Sequence, residues 1–280
     1  MKHFSRWLLL SLATLLLTAC SLLGLFYQQI PMLTYWRLDD MLNLRSDQTQ
    51  EVRAEVDRLF DWHKQEQLPA VVQALQRWQR MSGSNIQPQQ VCAEFDQFRE
   101  MTTDLLNASQ AAWGRVIPTL TNSQIEHLAQ YYAQEDTKFV EESMGPSQHE
   151  RRMRRYTRWT DRLYGDLTPQ QTEWLSQRIK QSIYKPEVLL RDRQAYQQDV
   201  VTTLKVLRQR SPEQAQAGVR ELQQRHWTRS TSLDPYAQAM RQEFCEWVAG
   251  LHNQTTPEQR VQAAKNLASW ERELRKLTRP

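Results

Sequence analysis

Four stretches of this chain repeat one piece of helix-start chemistry: Thr121–Gln124, Thr168–Gln171, Ser211–Gln214 and Thr256–Gln259. In each, a Ser or Thr hydroxyl is placed to accept the backbone N–H three residues on, while the Gln there reaches back to the capping residue's own N–H. Pro169, Pro212 and Pro257 hold the first helical position, where the fixed φ suits a helix and the missing donor had no partner to lose. Boundaries of this kind, repeated along the chain, specify helix after helix. Glycine is scarce, with 7 in 280 residues, and the high Gln, Glu, Arg, Leu and Ala content favours helix throughout.

The stretches between boundaries carry apolar residues at helical spacing. Ser46 reads as an N-cap, with Val52, Val56, Leu59, Phe60 and His63 on one face. Pro69 marks the next helix, ending near Ser82 and Gly83. Pro88 opens a third with Val91, Phe95, Phe98, Thr102 and Leu105 in register, stopped by Gly114 and Pro118. Later stripes run through Ile125, Leu128, Ala129 and Tyr132, then through Leu175, Ile179 and Ile183. A ninth helix carries Tyr236, Met240, Phe244, Trp247 and Leu251, and the last carries Val261, Ala264, Leu267 and Leu274. No alternating strand pattern appears. The expected fold is all-α: a multi-helix bundle or elongated array of about ten amphipathic helices forming one domain.

The N-terminus sets an address. Lys2, His3 and Arg6 precede an apolar run from Trp7 to Leu17, which ends in Leu17-Thr18-Ala19-Cys20. A basic start, a short apolar run and a small-residue cleavage site mark a secretory signal. The run is shorter than the roughly 20 apolar residues a spanning helix needs. Leu17–Cys20 resembles the lipobox of bacterial lipoproteins, which implies cleavage before Cys20 and acylation of that cysteine. With Ser21 rather than Asp next, the same resemblance implies sorting to the outer membrane. The expected division is signal peptide at 1–19, lipidated cysteine and membrane-proximal lead at 20–45 (apolar, aromatic and broken by Pro31), and a helical periplasmic domain at 46–280.

Loss of residues 1–19 removes Lys2 and Arg6 and no acid, so the net charge of +4 falls by two. So balanced a chain gives no footing for nucleic acid, despite a pI near 9.0. With Cys20 acylated, two thiols remain, Cys92 and Cys245. An even count in an oxidising compartment invites a disulfide joining the third and ninth helices; two separate buried thiols are the alternative.

Two resemblances follow from motifs. Leu120–Gln124 and Leu167–Gln171 are similar to the paired LTxxQ motif of Spy-type and CpxP-type periplasmic proteins, which implies helical cradles that bind unfolded polypeptide or sensor partners. Over most of its length the chain also resembles an uncharacterised family of proteobacterial lipoproteins, a domain of unknown function. That likeness rests on the lipobox, Tyr35–Asp39, Trp62–Lys64 running to Leu68-Pro69, and Gly165–Thr168 with Gln171. It implies an outer-membrane lipoprotein and assigns no activity.

Among local clusters, His63 and Glu66 share a helical face, so Glu66 is placed to accept from the imidazole; a structural or interfacial histidine is the favoured reading, since metal ligands are usually closely spaced. The strongest charge feature runs from His149 to Arg162. Arg151, Arg155, Arg158 and Arg162 crowd one strip, with Met153, Tyr156 and Trp159 beside it. Arginine forks next to aromatic faces suit phosphate, carboxylate or polypeptide. Glu135, Asp136, Glu141 and Glu142 on the preceding helix offer an internal neutralisation instead.

No nucleophile elbow, phosphate-binding glycine loop or zinc-protease motif appears. The expected function is a non-enzymatic, membrane-anchored binding module without metal or cofactor. It would bind protein or polypeptide, as a chaperone-like or scaffold protein, through Arg151, Arg155, Tyr156, Arg158 and Trp159, with Trp36 and Trp62 as further candidates. A regulatory lipoprotein with one folded partner is the alternative, and an envelope hydrolase a third.

Overall fold

The computed structural model describes residues 22–226 and 234–278. The expected signal segment at 1–19 and Cys20 lie outside the described residues. Eleven α-helices follow one another: α1 (Leu22–Leu42), α2 (Ser46–Trp62), α3 (Leu68–Met81), α4 (Pro88–Val116), α5 (Asn122–Met144), α6 (Gln148–Tyr164), α7 (Pro169–Lys180), α8 (Pro186–Leu207), α9 (Pro212–Gln223), α10 (Pro235–Asn253) and α11 (Pro257–Leu277). A π-turn at His63–Gln67 joins α2 to α3, making ten rods among the described residues. No strand occurs among the described residues.

Four boundaries differ from the sequence reading. Pro31 does not break the lead: α1 runs through it, and Tyr35 and Leu42 are buried in the body, so tertiary packing outweighs one lost intrahelical bond. Pro69 does not separate two helices either. The Leu68 N–H donates to the His63 carbonyl five residues back, and this wider turn carries the rod past the proline. At the other end of α2, Arg45 takes the cap position and Ser46 the first helical one, because the Gln48 amide accepts the Arg45 N–H at 2.9 Å. Gly114 likewise lies within α4, which ends at Val116 before a 3-10 turn holding Pro118.

α4, at 29 residues, is the spine. It packs against α2, α9 and α10, while α5 packs on α8 and α11 lies along α3, α6 and α1. The largest core cluster gathers Leu42, Ile117, Leu120, Ile125, Leu128, Leu204, Ala215 and Val219. Tyr35, Val52, Val56 and Val116 form a second cluster beneath α1. Near it the buried Glu55 accepts two hydrogen bonds from Arg115 and pairs with Arg58. The Arg115 guanidinium holds its carboxyl down at about 2.

All four expected capping boxes form as read. Their glutamines do more than cap. Gln171 and Gln259 exchange amide hydrogen bonds of 2.7 and 3.0 Å, and each donates its second N–H to a carbonyl before the partner's helix, Gln254 and Asp166. Gln48 and Gln124 repeat this arrangement, with amide bonds of 3.4 and 2.8 Å and carbonyls from Thr119 and Asn43. In all four cases the accepting carbonyl lies five residues before the partner glutamine. The chain thus contains two reciprocal glutamine clasps, each locking two helix starts together. Asn43 supplies its carbonyl from the left-handed region, at φ 46°, which Asn tolerates better than most residues.

One N–H of each buried amide is satisfied only by its partner. Gln171→Leu is therefore expected to cost about 2 kcal/mol, because it strands one Gln259 N–H and removes a cap. The double variant Gln171→Leu/Gln259→Leu should cost clearly less than the sum of the two singles in urea denaturation. Additive losses would show that the clasp is not a coupled unit.

The disulfide forms. Cys92 of α4 and Cys245 of α10 are bonded, with 5.4 Å between their Cα atoms, which settles the alternative of two separate thiols.

Candidate functional site

α6 is the helix of the arginine strip, and none of its residues is buried. The structure divides the expected site in two. Arg151 turns back and donates to the carbonyls of Glu142 and Glu141 at 2.9 and 2.6 Å, closing the end of α5. Arg152 reaches the Ile179 carbonyl and the Ser182 hydroxyl, and lies 4.4 Å over the Tyr184 ring. Tyr156 packs edge-on against Trp247 at 5.5 Å, beside Leu175 and Ile179. Arg151 and Tyr156 thus spend their side chains inside the fold, and of the expected site they are the less available half.

Arg155, Arg158 and Trp159 face solvent, as do Arg154 and Arg162. Trp159 is 65% exposed, and the Arg162 guanidinium sits 5.4 Å over its ring. At the helical repeat, Arg154, Arg155, Arg158 and Arg162 fall on one face with Trp159 at its edge. The expected neutralisation by the preceding helix does not take place. Glu135 pairs with Arg37 and Lys138, and Asp136 pairs with Arg193. Glu141 and Glu142 meet Arg151 through backbone oxygens only. Among the described residues, no carboxylate lies within ion-pair distance of Arg154, Arg155 or Arg158. Most other arginines bonded to acids reach across to another helix, as Arg77 does to Glu94 and Arg115 to Glu55.

The remaining candidates lie elsewhere. Trp36 is 52% exposed on α1, and Trp62 is half-buried at the end of α2. His63 opens the π-turn, where its Nδ1 meets the Tyr27 hydroxyl at 2.8 Å, so its partner comes from α1 and not from Glu66. Burial lowers the His63 pKa and raises that of Tyr27. Among the described residues no three His, Cys, Asp or Glu side chains gather as a metal site.

Sequence reading missed a second feature, an apolar cavity of about 300 Å³ between α3, α4, α10, α11 and the end of α6. Trp78, Phe95, Phe98, Leu163, Phe244 and Val248 form much of its wall. Phe95 and Phe244, both placed on core stripes by their spacing, meet as tilted rings with centroids 5.7 Å apart and remain 39% and 41% exposed. The polar wall groups are all engaged. Glu94 accepts from Arg77 and from the Trp78 indole. The His252 Nε2 lies 2.8 Å from the Ser84 carbonyl, an acceptor only, so it carries the ring proton and Nδ1 accepts from Tyr164 at 2.9 Å. Burial lowers the His252 pKa and pushes the Tyr164 hydroxyl up to about 12. Both ring nitrogens of His252 are thus engaged within the wall. The only sequence signal for the cavity was the aromatic content of two stripes that had been assigned to ordinary core.

Neither a curated protein nor a solved structure matches the chain. A family model described as "Family of unknown function (DUF6279)" matches residues 40–232, a span that runs from the end of α1 past α9 and takes in the arginine helix and both partners of the Gln48–Gln124 clasp. The chain belongs to that family.

Proposed function

We propose that this protein is a non-catalytic binding module of the cell envelope, anchored to the outer membrane by acyl chains on Cys20 and facing the periplasm, and that it binds polypeptide through the outer face of α6. The observation that carries the reading is the set of exposed arginines, Arg154, Arg155 and Arg158, with Trp159 and Arg162 beside them and no acid opposed to them among the described residues. Guanidinium forks hold carboxylates and backbone carbonyls, and the indole face holds apolar side chains, so together they suit acidic, aromatic-bearing segments of polypeptide. The lipobox supports the address, and the Cys92–Cys245 bond accords with an oxidising compartment. The likeness of Leu120–Gln124 and Leu167–Gln171 to the LTxxQ motifs of Spy-type and CpxP-type proteins supports a chaperone-like role, although here each motif is paired in a different clasp.

The full chain should slow aggregation of an unfolded client at equimolar ratio. Arg155→Glu/Arg158→Glu/Trp159→Ala should lose most of that effect while its circular dichroism is unchanged, since none of the three positions is buried. A parent chain without holding activity, or a triple variant that holds as well as the parent, would show the polypeptide reading to be wrong.

A further inference from the structure

The outer side of α1 exposes large apolar side chains. No charged residue occurs from Leu22 to Trp36, and Arg37 is the first. Tyr35 and Leu42 are buried against the body, yet Phe26, Met32, Leu33 and Trp36 are 58%, 42%, 41% and 52% exposed. At about 100° per residue, Phe26, Leu33 and Trp36 fall within a sector of about 80° that points away from Tyr35 and Leu42. Gln29 is the polar member of this face, with an uncharged amide, and Asp40 marks its end one turn beyond Trp36. A helix apolar on all sides is normally covered on all sides. The fold covers one.

The position of α1 in the chain says what meets the other. α1 begins two residues after Cys20, a distance of at most about 7 Å. With acyl chains on Cys20, the start of α1 cannot leave the bilayer surface. It does not cross, because no helix among the described residues is long and apolar enough to do so, and its inner face is held by α2, α5 and α11. We propose that α1 lies lengthwise in the headgroup–acyl boundary of the membrane, inserting Phe26, Leu33 and Trp36 and fixing how the whole domain is oriented on the bilayer. This inference rests on acylation of Cys20 in the function proposed above.

The acylated chain carrying Leu33→Cys is the test. Cys92 and Cys245 are bonded to each other and Cys20 is blocked, so residue 33 alone takes a nitrobenzoxadiazole dye. In vesicles of phosphatidylethanolamine and phosphatidylglycerol its emission should shift to the blue and be quenched by nitroxide-bearing lipid. The same dye at Val206→Cys, an exposed position on α8, should keep the emission it has in water. Adding Phe26→Glu and Trp36→Glu should return position 33 to water-like emission. Water-like emission from the parent in vesicles, with its acyl chains confirmed by intact mass, overturns the inference and leaves the anchor standing. Shielding at position 33 that follows protein density and not nitroxide lipid overturns it in favour of a second copy of the chain. An intact mass without acyl chains removes the anchor and this inference together.

Discussion

Cys245→Ser is expected to lower the stability of the domain by up to about 5 kcal/mol, the value that chain-entropy reasoning assigns to a closed loop this long. The bond links positions 153 residues apart, so its removal releases more than half of the chain in the unfolded state. It also sits where the native fold has other ties between the same helices. Arg241 of α10 is ion-paired with Asp96 of α4 and donates to the Cys92 carbonyl. Those ties should let the variant keep its native helices at low temperature. The measurable result is a thermal midpoint lower by on the order of 10 °C, reproduced in the parent by dithiothreitol. Equal midpoints for variant, reduced parent and oxidised parent would show that the crosslink contributes nothing to stability.

Gly114→Val should be strongly damaging although it alters no polar group. A Cβ at Gly114 would stand 2.7 Å from the Pro212 carbonyl oxygen and 2.9 Å from the Gln216 Cβ. The first of these is backbone at the start of α9, so the helix itself must move. Overpacking of this kind costs about 3 kcal/mol. Valine recovers little of it, because it is a poorer helix former than alanine. Gly83, with nothing within 4 Å of its Cβ position, supplies the contrast: Gly83→Ala should change stability by less than about 0.5 kcal/mol. A Gly114→Val protein that unfolds in urea at the parent's midpoint would mean that α4 and α9 do not approach as described.

The opposed behaviour of Gly114 and Pro118 illustrates what single residues can tell. Both are expected to stop a helix, and local propensity treats them alike. Gly114 instead lies within α4 because the crossing with α9 needs a residue without a side chain. Only Pro118, in the 3-10 turn, acts as the local rule says. Pro31 and Pro69 depart from the same rule for the same kind of reason, since packing and a widened turn absorb one missing donor each.

The arginine helix shows the corresponding division at the candidate site. Spacing alone put Arg151, Arg155, Arg158 and Arg162 on one strip, and that strip exists. Spacing says nothing about where a long side chain bends, and Arg151 bends back to cap α5. It says equally little about which acids are already taken, as Glu135 and Asp136 are by Arg37 and Arg193. The exposed set, Arg154, Arg155, Arg158, Trp159 and Arg162, therefore had to come from coordinates.

Helical class, the four capped starts and the stripe of α5 were determined by sequence alone, because each depends on interactions within a few residues. Sequence offered Cys92 and Cys245 as partners, and the fold that brings their Cα atoms to 5.4 Å decided the pairing, while Ile183, expected on the stripe of α7, lies beyond that helix and is exposed. The glutamine clasps, the cavity beside Phe95 and Phe244, and the uncovered face of α1 were decided by tertiary structure. In all three, a residue's role is set by what lies across from it, and the distance along the chain to that neighbour (76 residues for Gln48 and Gln124, 88 for Gln171 and Gln259) leaves no trace in local periodicity.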